Sequence, residues 1–171
     1  MIRVLLADAS PHAQRMGEQI LREEGFEVET VADGDLAASR LVAFDPLVLV
    51  ADMQLPRQTG YELARLAKSS ALDGVSVVLT VGARAGVPDP ERLRECGCDA
   101  TIGKPFEATA LVETVRRMAA AAQAGRARSR PKAAVEMDRE RVEAAVTLAL
   151  EAALPSLIQE ITERVLIALK K

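Results

Sequence analysis

Aromatic residues are almost missing from this chain: 171 residues hold no tryptophan, one tyrosine and three phenylalanines. A core must therefore be filled with Val, Leu, Ile and Ala. Only two cysteines occur, Cys96 and Cys98, too close together for a normal disulfide framework, so the chain reads as reduced and cytoplasmic. Cys96-Gly97-Cys98 has the look of half a zinc site, but no second ligand pair follows. Small side chains packing before the last strand is the better reading. The one histidine, His12, lacks a second His and reads as a surface residue. No apolar run approaches the length of a membrane span, and the first residues lack a signal peptide's basic and apolar segments. Basic surplus is absent too: the net charge of −3 gives no general attraction to nucleic acid.

What is present is a well-filled aliphatic interior. Hydrophobic residues make up 49% and charged residues 27%, which excludes global disorder. The length suits one domain with an appendage. The organising stretch is Leu47-Val48-Leu49-Val50-Ala51-Asp52, followed by Met53-Gln54-Leu55-Pro56 and Gly60. Consecutive apolar residues with β-branching at alternate positions predict a strand buried on both faces, as in a parallel sheet. Asp52 stands where that run ends, and Pro56 and Gly60 forbid a regular continuation.

Four further strands are expected, over 2–7, 26–32, 75–81 and 100–103. Helices are expected over 11–24, after Asp33-Gly34, over 61–68, 91–96 and 108–120. Inward positions include Met16, Ile20, Leu21, Leu63, Leu66, Leu111, Val112, Val115 and Met118, with Tyr61 partly exposed. Strands alternating with helices through right-handed crossovers predict an α/β fold with a five-stranded, doubly wound parallel sheet. Asp8, Asp52, Thr80 and Lys104 then fall at carboxyl ends of strands, where open α/β sheets bind ligands. A carboxylate nucleophile, a second acid for a divalent cation, a hydroxyl and an ammonium are what phosphoryl transfer to an aspartate requires. Lys104-Pro105 suits a cis peptide.

On these residues the first 120 positions resemble a two-component response-regulator receiver domain, CheY-like and flavodoxin-like in fold. The matching pieces are Val4-Leu5-Leu6-Ala7-Asp8, Asp52-Met53-Gln54-Leu55-Pro56, Gly60, Leu79-Thr80 and Lys104-Pro105-Phe106. The resemblance implies that Asp52 is the phospho-acceptor, that Thr80 is the switch hydroxyl and that Lys104 contacts the phosphoryl group. It implies Mg²⁺ held by Asp8, Asp52 and the backbone carbonyl of Gln54. Ala9 departs from the pattern, standing where the family carries its second acid, which weakens the metal site. Val81 departs as well, a stiff β-branched residue beside Thr80. Thr101 occupies the place of the family's rotating aromatic. Two readings follow: a phosphorylatable switch served by a histidine kinase or phosphotransfer protein, or a phosphorylation-independent pseudo-receiver acting as a scaffold. Neither is an enzyme beyond phosphoryl acceptance and autodephosphorylation on Asp52.

Beyond the receiver, residues 121–136 read as a flexible basic linker around Arg126, Arg128, Arg130 and Lys132, with no interleaved aromatics. Residues 137–171 read as an amphipathic helical tail. Val142, Ala145, Val146, Ala149 and Leu150 form one apolar stripe, and Leu157, Ile158, Ile161, Val165 and Leu169 resume it after Pro155. Such a stripe needs a partner, so the tail is expected to form a homodimer, as a coiled coil or small bundle, or to bind a downstream protein. No helix-turn-helix or GGDEF-like pattern is present, and no nucleic-acid contact is expected.

Overall fold

The computed structural model describes residues 1–69, 72, 74–82 and 86–129, and Met1–Ser129 form one compact unit. Strands β1 (Arg3–Ala7), β2 (Glu27–Val31), β3 (Val48–Asp52), β4 (Ser76–Val81) and β5 (Ala100–Gly103) alternate with helices α1 (Pro11–Glu23), α2 (Gly34–Phe44), α3 (Gly60–Ala67), α4 (Pro90–Cys96) and α5 (Ala108–Ser129). The sheet is parallel throughout, in the order β2-β1-β3-β4-β5. This is the doubly wound architecture expected from the alternation of apolar runs.

Alternate residues of each strand feed two separate cores, because a strand turns successive side chains to opposite faces. Leu5, Leu49 and Leu79 pack on one face with Ala37, Leu41, Leu63 and Cys96. Val4, Leu6, Val48, Val50 and Val78 pack on the other with Leu21, Phe106, Leu111 and Val115. Leu5, Leu49, Leu79 and Leu111 are fully buried, and each such side chain contributes roughly 1.5–3 kcal/mol of transfer free energy. Helix starts follow the local chemistry. Ser10, Asp33, Thr59 and Asp89 each cap a helix by accepting a backbone N–H, and Thr59 with Glu62 completes a capping box.

Four expectations are corrected. Tyr61 is buried, not partly exposed: its ring joins the core with Met53, Leu55 and Leu63, and the Arg92 guanidinium lies over it, 4.5 Å from the centroid. Leu66, expected inward, is 37% exposed: it lies beside the buried arc of Leu63, Ala64 and Ala67 on α3. Met16, Ile20 and Val112 are half-buried at the margin of their core. Helix α5 does not stop near Ala120 but runs to Ser129, so residues 121–129 of the expected linker are helical. Two causes are visible. Ala119 and Ala122 are buried against the domain, and Arg126 grips the α2–β3 turn, donating to Asp45 Oδ1 (2.7 Å), Asp45 Oδ2 (3.2 Å) and the Pro46 carbonyl (2.8 Å). Residues 130–136 of that linker and the expected tail, 137–171, lie outside the described residues. Among the described residues no helix is long and apolar enough to cross a membrane.

Candidate functional site

Sheet register brings the expected site residues to one level. Ala7 pairs with Ala51, Asp52 with Thr80, and Val81 with Gly103. Asp8 and Lys104 therefore follow immediately after their strands, beside Asp52 and Thr80, at the carboxyl edge of the sheet. Chain connections hold them there. The Asp8 N–H donates to the Val31 carbonyl (3.0 Å), and the Lys104 N–H donates to the Val81 carbonyl (2.7 Å). The Lys104–Pro105 peptide is cis, as the dipeptide suggested.

The side chains converge. The Lys104 ammonium donates to Asp8 Oδ2 and, at 2.5 Å, to Asp52 Oδ2. Asp8 is only 2% exposed, whereas the Asp52 and Lys104 side chains are 16% and 17% exposed. The pocket thus has a buried acid at its base and an acid reachable from solvent at its mouth. Each carboxylate also accepts a backbone N–H two residues on: Asp8 Oδ1 from Ser10 and Asp52 Oδ1 from Gln54, both at 2.9 Å. Those Asx-type bonds fix the carboxylate planes. On the neighbouring strand Thr80 is 1% exposed, and its hydroxyl oxygen is buried without a hydrogen-bond partner among the described residues. An orphaned buried hydroxyl is rare enough in folded proteins to mark a functional position.

The loop after Asp52 is clamped by contacts that the sequence alone does not display. Gly34 lies so close to it that a Cβ there would sit 2.1 Å from the Gln58 carbonyl oxygen, and the Gly34 N–H donates to the Pro56 carbonyl. Gln58 donates to Asp35 Oδ1 (3.1 Å), and Arg57, at φ 69°, pairs with the same carboxylate. A Cβ on Gly60 would meet the Asp52 carbonyl oxygen at 2.6 Å. The Asp33-Gly34 dipeptide looked like an ordinary turn; its second role, admitting the loop, depends on a contact with residues more than 20 positions away.

For Mg²⁺ the donor chemistry fits in kind. Asp8 and Asp52 supply hard carboxylate oxygens that converge on a single cationic group, and Mg²⁺ keeps several waters of its own. It fits less well in charge: Ala9 is exposed beside Asp8 and brings no third acid. Among the described residues no group of three His, Cys, Asp or Glu side chains is placed to hold a metal ion. Gln54 lies in the loop beside Asp52, linked to it through its N–H. Val81 is half-buried and Thr101 exposed, and His12 is exposed as expected.

Comparison with known proteins agrees with this arrangement. The family profile of the response regulator receiver domain matches residues 4–116. Protein PilG of Pseudomonas aeruginosa is 26% identical over 115 residues, covering 67% of this chain and 85% of PilG. The transcriptional regulatory protein TrcR of Mycobacterium tuberculosis is 35% identical over 115 residues, covering 67% of this chain and 44% of TrcR, so the chain spans less than half of that relative. Among solved structures, the chemotaxis response regulator CheY4 of Vibrio cholerae superposes with a TM-score of 0.63 at 24% identity, covering 69% of this chain and 98% of that one. The receiver domain of a sensor histidine kinase from Pseudomonas aeruginosa, with a magnesium ion coordinated in its active-site cleft, superposes with a TM-score of 0.62 at 26% identity, covering 70% and 98%. With its sheet order, its convergent strand ends and a profile match across most of the described unit, the chain belongs to the response regulator receiver domain family.

Proposed function

We propose that the protein is a phosphorylatable response regulator whose acceptor is Asp52 and whose output is protein–protein contact. The observation that carries this reading is the buried hydroxyl of Thr80, without a partner among the described residues and level with Asp52 in the sheet. A phosphoryl oxygen on Asp52 is the acceptor that such a donor lacks. In the transfer, an Asp52 carboxylate oxygen attacks phosphorus and the bond from phosphorus to the donor's nitrogen or oxygen breaks. Partial exposure lets Asp52 meet a histidine kinase, a phosphotransfer protein or a small acyl phosphate. Lys104, already joined to Asp52, neutralises charge on the transferred group, and Thr80 donates to it. Asp8, Asp52 and the Gln54 carbonyl would hold Mg²⁺, which supplies further neutralisation of the phosphoryl oxygens. Closing of Thr80 and Lys104 on the phosphoryl group would shift a pre-existing equilibrium of the face formed by α4 and α5. The periodic apolar residues in the sequence of 137–171 support self-association or a downstream partner as the output.

The second reading, a pseudo-receiver that acts without phosphorylation, is favoured by Ala9 and Val81. Intact-mass spectrometry after incubation with acetyl phosphate and Mg²⁺ separates the two. A single phosphoryl adduct absent from Asp52→Ala is the expected result. No adduct, together with no binding of beryllofluoride, overturns phosphorylation and leaves the scaffold.

A further inference from the structure

Away from the phosphorylation pocket, the two cysteines are brought together where α4 ends and the chain turns towards β5. Gly97 makes the turn, at φ 71°, as the helix C-cap. Both thiols bond to one acceptor: Cys96 Sγ donates to the Leu93 carbonyl at 3.2 Å and Cys98 Sγ to the same oxygen at 3.7 Å. Sharing that acceptor sets the two thiols side by side. Both are free. Cys96 is buried, while Cys98 lines an open cavity of about 460 Å³ together with Leu93, Gly97, Asp99 and Thr101. Thr101 is a small, exposed side chain and leaves that cavity unobstructed.

We propose that Cys96 and Cys98 form a dithiol site for a soft, thiophilic centre that closes an uncharged bis-thiolate, of which trivalent arsenic is the type. Ligand number and charge both point this way. Among the described residues no third His, Cys, Asp or Glu is placed to complete a metal cluster, so a four-coordinate ion such as structural zinc does not fit. Burial opposes net charge, and a neutral complex with two sulfurs avoids it. Peroxide sensing does not fit either. It needs a thiolate, and here burial and the neighbouring Cys96 push the Cys98 thiol up to about 11. The carbonyl end of α4 disfavours a thiolate in the same direction. A thiophilic centre exchanges with the protons instead. With phenylarsine oxide the arsenic–oxygen bonds break, two arsenic–sulfur bonds form, and both thiol protons leave with the oxygen as water; no oxidation state changes. The closed ring ties the end of α4 to the approach to β5.

The test is intact-mass spectrometry of the native, reduced full chain with phenylarsine oxide. One adduct is expected, equal in mass to the arsenical less one water, stable to excess glutathione and removed by dithiothreitol. Cys98→Ser, a substitution at a half-exposed position, should abolish the glutathione-stable adduct while leaving the far-ultraviolet circular dichroism unchanged. Three results overturn the proposal: an equally stable adduct on Cys98→Ser, loss of the wild-type adduct to glutathione, or an adduct that forms only after unfolding in urea.

Discussion

Replacing Lys104 by methionine keeps an unbranched side chain and removes the ammonium that Asp8 and Asp52 share. Breaking a buried ion pair costs about 3–5 kcal/mol, because a charge is left behind in low dielectric, whereas an exposed pair contributes about 0–1 kcal/mol. Asp8 is 2% exposed, so its loss lies near the buried limit; the Asp52 and Lys104 side chains are about one-sixth exposed, so theirs is screened in part. Taken together, these place the cost of Lys104→Met at about 2–4 kcal/mol. With a urea dependence of about 2 kcal/mol per molar, the unfolding midpoint should fall by about 1–2 M. The cause is separable from lost packing. In Lys104→Met combined with Asp8→Asn the abandoned charge is gone, so the double variant should be more stable than the sum of the two single costs, by about 1 kcal/mol or more. A Lys104→Met cost below about 1 kcal/mol, or strictly additive single costs, would refute the shared-ammonium account.

Four other measurements bear on the structure. Ala9→Asp adds a carboxylate beside Asp8, and a unit charge about 4 Å from a cation is worth roughly 1–4 kcal/mol between bulk-water and protein-surface dielectrics; isothermal titration with Mg²⁺ should show affinity raised about tenfold or more, and an unchanged affinity would mean that position 9 does not face the ion. Gly60→Ala drives a methyl into the Asp52 carbonyl oxygen, 2.6 Å away, and should cost about 1–3 kcal/mol in a thermal melt. Arg126→Ala removes the donors to Asp45 and Pro46 and should speed amide exchange over 121–129 while leaving 108–118 slow. The Cys98 thiol is raised from 9.0 to about 11. Folding therefore favours its protonated form, and that contribution to stability is intact below pH 9 and lost as pH rises through 11. Iodoacetamide should react slowly with native Cys98 at pH 8 and faster as that upper range is approached.

The strands and the acceptor pocket were legible because they are written in local signals. Runs such as Val48-Leu49-Val50-Ala51 allow no amphipathic helix, and a polar residue closing each run marks the sheet edge. Thr80 and Asp52 fall level because consecutive parallel strands of similar length end together. What stayed hidden depends on contacts distant in sequence. Tyr61 is buried by core neighbours such as Met53 and Leu55 and by Arg92 on the next helix. The last two turns of α5 looked like a linker, since Gly125 and scattered arginines carry little helical signal of their own; the turn that holds Arg126 lies 81 residues earlier. Gly34 gave no hint that the acceptor loop rests on it. Local propensity set the elements, and tertiary partners decided where the last of them stopped.

The grip of Arg126 on Asp45 and Pro46 also sets a length scale. Those two residues precede β3 and Asp52 ends it, so the acceptor and the far anchor of α5 stand at opposite poles of one fully buried strand. Six to seven residues at about 3.3 Å each put roughly 20 Å between them. A strand packed on both faces does not stretch, so it transmits displacement only by moving as a rod. A chemical event at Asp52 that reaches Arg126 must therefore tilt β3 as a whole or travel along the helices beside it. A pair of spin labels at the exposed positions 54 and 127, which leaves Arg126 in place, would read that difference as a change in one distance.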